Sequence, residues 1–98
     1  MTFRFEKERI TAVSSDGVSM GYLSFPRIRA RLVNISEVTV FPAFRGQGVE
    51  DAMMEALLGH LDKQGLKAAL TCPFAQRYVE QNPRWKKILP GELHFTKY

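Results

Sequence analysis

Val40-Phe41-Pro42-Ala43-Phe44-Arg45-Gly46-Gln47-Gly48-Val49 is the stretch that decides the fold. Before it the chain is written in short β-branched and aromatic runs, and after it apolar residues recur every three or four positions. A strand therefore ends near Phe41 and a helix opens near Gly48. Glycines let the backbone turn tightly and approach a ligand, and the first N–H groups of a helix, with its dipole, face any anion placed there. On these residues alone the junction is either a plain tight turn or a phosphate-binding corner.

Downstream, Val49, Ala52, Met53, Ala56, Leu57 and Leu61 form an apolar stripe that predicts an amphipathic helix over 48–64, covering a sheet. Gly65 suits the left-handed position just past the helix, whereas Gly59 inside it costs roughly 0.5 to 1 kcal/mol relative to alanine, with no evident reason. Leu66 to Thr71 reads as a buried strand, and strand-helix-strand implies a parallel pair with a right-handed crossover. Pro73 fits the first turn of a second helix, whose buried side carries Phe74, Ala75, Tyr78 and Val79 and which ends at Asn82-Pro83. Arg84 to Tyr98 is irregular, with Trp85, Ile88, Leu89, Leu93 and Phe95 to pack down.

Upstream, residues 3–7, 9–14, 18–25, 28–35 and 37–41 predict an antiparallel meander, with Ser15-Asp16-Gly17 as a hairpin turn and Pro26 as the break between the third and fourth strands. In the fourth, Ile28, Ala30 and Leu32 alternate with Arg27, Arg29 and Arg31, so one face is expected in the core and the other in water. The fold class is mixed α/β: a mostly antiparallel sheet with one parallel β-α-β crossover.

The 98 residues, 45% hydrophobic, suffice for one core and not two, so a single domain over 1–98 is expected. Met1 to Ile10 interleaves Arg4, Glu6, Lys7, Glu8 and Arg9 with aromatics and lacks the apolar run of a signal peptide or membrane helix; a cytoplasmic location is expected. The single cysteine, Cys72, excludes an internal disulfide and a multi-thiol zinc site. A net charge of +4 favours a phosphate-bearing partner, whether nucleic acid or a phosphorylated cofactor.

The run from Glu37 to Leu89 resembles the short, stand-alone branch of the GNAT N-acetyltransferase superfamily. Val40, Pro42 and Arg45-Gly46-Gln47-Gly48-Val49 resemble its pyrophosphate-binding loop, and Cys72-Pro73-Phe74, Tyr78 and Pro83 follow at that branch's spacing. The resemblance implies the acyl-CoA N-acyltransferase fold and acetyl-CoA as cofactor. It implies that the amides of Gln47 and Gly48 and their neighbours hold the diphosphate, that the strand around Val38 and Val40 pairs with the pantetheine arm, and that Cys72 and Tyr78 lie near the thioester. The chain departs from the branch's pattern at Glu50, followed by Asp51, where glycine or alanine is usual, and at Glu37, where histidine is usual. Carboxylates in a first helical turn satisfy the helix dipole and oppose a bound diphosphate.

An acceptor amine reacts only when deprotonated, and for a lysine-like pKa of about 10.4 this costs roughly 4.6 kcal/mol at pH 7. Glu37 is the candidate base, a backbone N–H near Val40 the candidate stabiliser of carbonyl charge, and Tyr78 the candidate proton donor to the leaving thiolate. Cys72, just ahead of a helix N-terminus, offers a covalent route, or else is a small core side chain. The acceptor is an unidentified amine. His60 and His94 read as structural or exposed. The rival is a non-catalytic module, binding CoA without turnover or nucleic acid through Arg27, Arg29, Arg31, Arg84, Lys86 and Lys87 around Trp85. The split of those charges between a strand and the C-terminal region disfavours nucleic acid.

Overall fold

A bent antiparallel ribbon, with a second hairpin beside it, forms the first half of this fold. In the computed structural model, described over residues 1–91, β1 (Thr2–Phe5), β2 (Arg9–Val13), β3 (Ser19–Ser24), β4 (Arg27–Arg29), β5 (Leu32–Ile35) and β6 (Glu37–Val40) precede the first helix. A 3₁₀ turn over Pro42–Phe44 leads to α1 (Val49–Lys63), then β7 (Lys67–Leu70), α2 (Pro73–Gln81) and a second 3₁₀ segment, Pro83–Ile88. One sheet runs β1-β2-β3-β6 and the other β4-β5-β7. Every pairing is antiparallel except β5 with β7, the parallel pair that the crossover through α1 requires.

The ribbons bend where the chain changes partner. β3 and β4 run in one direction on either side of Phe25-Pro26, and β5 and β6 return on either side of Ser36. Pro26 does separate the third and fourth strands as expected, but as a kink within one ribbon and without a reversal. Its carbonyl still accepts from Asn34 N at 2.8 Å, while the neighbouring Arg27 N–H donates to Glu8 Oε2 at 2.9 Å. The reversal falls at Ala30-Arg31, inside the stretch 28–35 read as one strand. The two-faced alternation expected there does not form, and Ile28 is 50% exposed beside Arg27 and Arg29. A three-residue strand ahead of a turn has too little length to bury one face.

The helices follow their sequence signals closely. Gly65, φ +70°, closes α1, and Leu66 N donates back to Leu61 O at 2.9 Å. Val49, Met53, Met54, Leu57, Leu58 and Leu61 of α1 are buried against Ile10, Leu23, Val33, Ile35 and Val40, with Ala75 and Val79 of α2 in the same cluster. Trp85 and Ile88 of the second 3₁₀ segment join it, giving that irregular stretch the structural role its apolar residues suggested. Leu93, His94 and Phe95 lie outside the described residues.

Candidate functional site

Ile35 is where the two sheets part. Its carbonyl accepts from both Thr71 N, at 3.1 Å, and Cys72 N, at 3.2 Å, just before Pro73 turns away into α2. β6 meanwhile continues along β3. Beyond Ile35, β6 and β7 belong to different sheets and share no ladder among the described residues, a divergence we call the wedge.

A β-bulge at the mouth of that wedge sets which atoms line it. Ser36 N donates to Ser24 O at 3.1 Å, yet Ser24 also pairs with Glu37, so two residues oppose one and the phase of the strand shifts. Beyond the bulge Tyr22 faces Thr39, and Phe41 N donates to Met20 O at 2.9 Å. Alternation in an antiparallel ladder then turns the N–H and C=O of Val38 and Val40 away from β3 and into the wedge. These are the two residues singled out in the sequence for an extended ligand arm.

At the end of the wedge the chain rises through Pro42–Phe44 to the glycine corner. Gly46 and Gly48 take φ of +80° and +76°, backbone conformations that side chains with a Cβ rarely adopt. Gly48 occupies the N-cap of α1, and among the described residues no side-chain cap bond closes that end. The charges of Glu50 and Asp51 stand in the first turn. Arg45, just before the corner, supplies a cation.

Glu37 is exposed on the sheet face opposite α1 and receives hydrogen bonds from Tyr22 Oη, at 3.1 Å, and Thr39 Oγ1, at 3.3 Å. Tyr22 in turn lies under the Arg9 guanidinium, 4.1 Å from the ring centre, and edge-on to Phe41 at 6.2 Å. Cys72 sits differently. It is 5% exposed and belongs to the core cluster with Val40 and Met53.

The hydroxyl of Tyr78 is engaged elsewhere: it donates to Glu55 Oε1 on α1 at 2.5 Å. Glu55 also accepts from Trp85 Nε1 at 3.1 Å and from Arg84. The Tyr78 bond, followed by those from Trp85 and Arg84, holds the Glu55 carboxyl below the ordinary carboxylate range against partial desolvation. Desolvation first, then Glu55, pushes the Tyr78 phenol well above its usual value, and Asp51 adds to the effect. Glu55 and Tyr22 were missed in the sequence. The only signal for Glu55 was that a buried Trp85 and a half-buried Tyr78 each need a polar partner, and no local pattern marked Tyr22.

The structure therefore sets Glu37, Val38 and Val40 on β6, which leads through Pro42–Phe44 to the corner Arg45-Gly46-Gln47-Gly48-Val49, puts Cys72 in the core and ties Tyr78 to Glu55. His60 stacks on Phe5 at 4.3 Å. The basic residues of the nucleic-acid reading are dispersed: Arg27 donates to Ala30 O at 2.6 Å, Arg84 pairs with Glu55, and Lys87 pairs with Asp62 at 3.2 Å.

Comparison with known proteins gives three findings. Residues 9–88 match the family model described as GCN5-related N-acetyl-transferase. Protein NATD1 of Gallus gallus is 34% identical over 61 residues, 62% of this chain and 56% of the relative; for NATD1 of Homo sapiens the identity is also 34%, over 54% of the relative. The match thus spans about half the length of those relatives. Among solved structures, a GCN5-like protein from Staphylococcus aureus superposes with a TM-score of 0.72 at 18% identity, over 92% of this chain and 88% of that one. A protein of Mycobacterium tuberculosis in complex with CoA superposes with a TM-score of 0.63 at 22% identity, over 79% of this chain and 48% of the other. The structural likeness shows a shared acyl-CoA N-acyltransferase fold.

Proposed function

The chain belongs to the GCN5-related N-acetyl-transferase family, and from that premise we propose that it holds acetyl-CoA in the wedge between β6 and β7 and transfers the acetyl group to a primary amine. The observation that carries this reading is the pair of outward-turned amides at Val38 and Val40, ending below the uncapped start of α1. A strand edge left unpaired and buried costs free energy unless something pairs with it, and an amide-bearing ligand arm supplies the missing partners. The residues fit such a group: an extended edge of about the right spacing, then N–H groups and Arg45 for a diphosphate.

When bound, acetyl-CoA supplies an activated acyl carbonyl and a thiolate leaving group. Val38 and Val40 orient the arm, and a backbone N–H beside Val40 meets charge developing on the carbonyl oxygen. Glu37, held by Tyr22 and Thr39, takes the proton of the attacking amine. With acetyl-CoA bound, the new N–C bond would form as the C–S bond breaks, and solvent would protonate the departing sulfur, because the Tyr78 hydrogen is directed at Glu55. Burial of Cys72 in the core favours direct transfer over a route through its thiol.

CoA binding without turnover is the second reading, favoured by Glu50 and Asp51 in the first turn of α1. Acetyl-CoA at 100 times its dissociation constant adds about 2.7 kcal/mol of stability, a rise in melting temperature on the order of 10 °C for a domain of this size. No rise at millimolar acetyl-CoA removes the cofactor. A rise without CoA release in the presence of any amine leaves the binding module.

A further inference from the structure

We infer that the acceptor is a polypeptide whose reactive amine is flanked by acidic residues, docked on the open face of the β1-β2-β3-β6 sheet; this rests on the acetyltransferase reading above. Both α-helices send their buried side chains to the opposite side of that sheet, into the cluster with Ile10, Leu23 and Val40. β1 and β2 are joined by the short turn Glu6–Glu8, closed by Glu6 N donating to Arg9 O at 2.8 Å, so no helix is inserted there to roof the face.

What the face carries is polar, aromatic and unevenly charged. Register places Arg9 opposite Ser24, and Ser24 opposite Glu37, so a single cross-strand row runs from cation to anion. The neighbouring row runs from the exposed Arg4 through Thr11, buried beneath its neighbours, to the half-buried Tyr22 and Thr39. Strands lie about 4.8 Å apart, which puts the Arg9 backbone roughly 10 Å from that of Glu37, with Arg4 one strand further out. Negative charge is thus at the wedge, where the amine must arrive, and positive charge is on the outer strands.

A ligand that matches both ends needs an ammonium at Glu37 and carboxylates about 10 Å away. Three or four extended residues of polypeptide span that distance at about 3.3 Å each. A small monoamine reaches only Glu37, and a polyamine meets Arg9 and Arg4 with like charge. Tyr22, half-buried between the two ends with Arg9 over its ring, and the exposed Phe41 further along β6 add aromatic surface to the same face.

The test is steady-state acetylation of two short peptides, each with one central lysine and a blocked N-terminus, flanked in one by glutamates and in the other by arginines, with spermidine as the small-amine probe. The acidic peptide is expected to have kcat/KM at least about tenfold above the basic one and above spermidine, because like charges set side by side on a docking face are disfavoured. An Arg9→Glu variant, with melting temperature within a few degrees of the parent, reverses the order of the two peptides. Equal rates for both peptides, a preference for spermidine, or an Arg9→Glu variant that keeps the parental order overturns this inference while transfer itself stands. No transfer to any amine overturns it together with the reading on which it rests.

Discussion

Tyr78 on α2 donates its hydroxyl hydrogen to Glu55 on α1 at 2.5 Å, and the same carboxylate binds Trp85 and Arg84, so one side chain fastens both helices and the segment after them. Removing it should cost more than an exposed carboxylate normally does. Glu55→Ala leaves the Trp85 indole N–H, largely buried, without its partner and is expected to lower stability by about 1 to 3 kcal/mol, read by urea unfolding. The pH dependence follows from the two shifts. Glu55 titrates below its ordinary 4.5, so its contribution is whole above that pH and is lost as pH falls through the lower folded value. Tyr78 titrates above its ordinary 10.0, so its contribution is whole below pH 10.0 and is lost as pH rises toward the folded value. Glu55→Gln should flatten the acid limb of the stability curve, and Tyr78→Phe the alkaline limb; unchanged limbs refute the coupling.

Gly21 faces Val40 across the ladder, and a Cβ built on it would stand 2.3 Å from the Thr39 carbonyl oxygen. That atom is backbone, so β6 itself must shift. Gly21→Ala is expected to destabilise by about 1 to 3 kcal/mol and to weaken acetyl-CoA binding along with it, because the edge that moves is the one bearing Val38 and Val40. Calorimetry of the folded variant measures both effects; intact affinity in a destabilised variant separates β6 from the cofactor.

Glu50 stands in the first turn of α1 without capping it. A charge there interacts with the helix end by about 0.3 to 1 kcal/mol, so Glu50→Gln should tighten CoA roughly two- to fivefold at low salt and less at high salt. An affinity that stays constant by titration calorimetry places the diphosphate elsewhere.

Gly59 lies inside α1 with open space around an added Cβ and no positive φ. Nothing in the described structure requires glycine there, and Gly59→Ala is expected to stabilise by roughly 0.5 to 1 kcal/mol by thermal unfolding. A loss instead would mean that something must come close to the helix at this turn.

Cys72→Ala should retain acetyl transfer, since the buried thiol is assigned no step. Mass spectrometry of the parent after incubation with acetyl-CoA should show no added acetyl group at this residue. Loss of turnover in a folded Cys72→Ala protein restores the covalent route.

Much of this was legible in the order of residues. The strand-to-helix change at Gly46-Gln47-Gly48, the two helices and the single parallel pair all follow from local signals: periodicity, a proline at a helix start, a glycine after a helix end. The turn at Ala30-Arg31 was not legible, because neither residue is a turn former and a regular alternation of arginine and apolar residues runs straight through it. Proline at 26 drew the break instead.

The sequence by itself determined both helices, most of the strands and a glycine corner between β6 and α1, because those properties depend on neighbours within a few residues. Tertiary structure alone decided which edge of β6 is open, through a one-residue bulge at Ser36, and which groups face one another: Tyr22 with Glu37, Arg9 over Tyr22, Tyr78 with Glu55. Side chains that meet across 13 to 23 positions leave no periodic trace in the chain. Their pairing is fixed by ladder register and helix packing, where a shift of a single residue sends each of them to the other face.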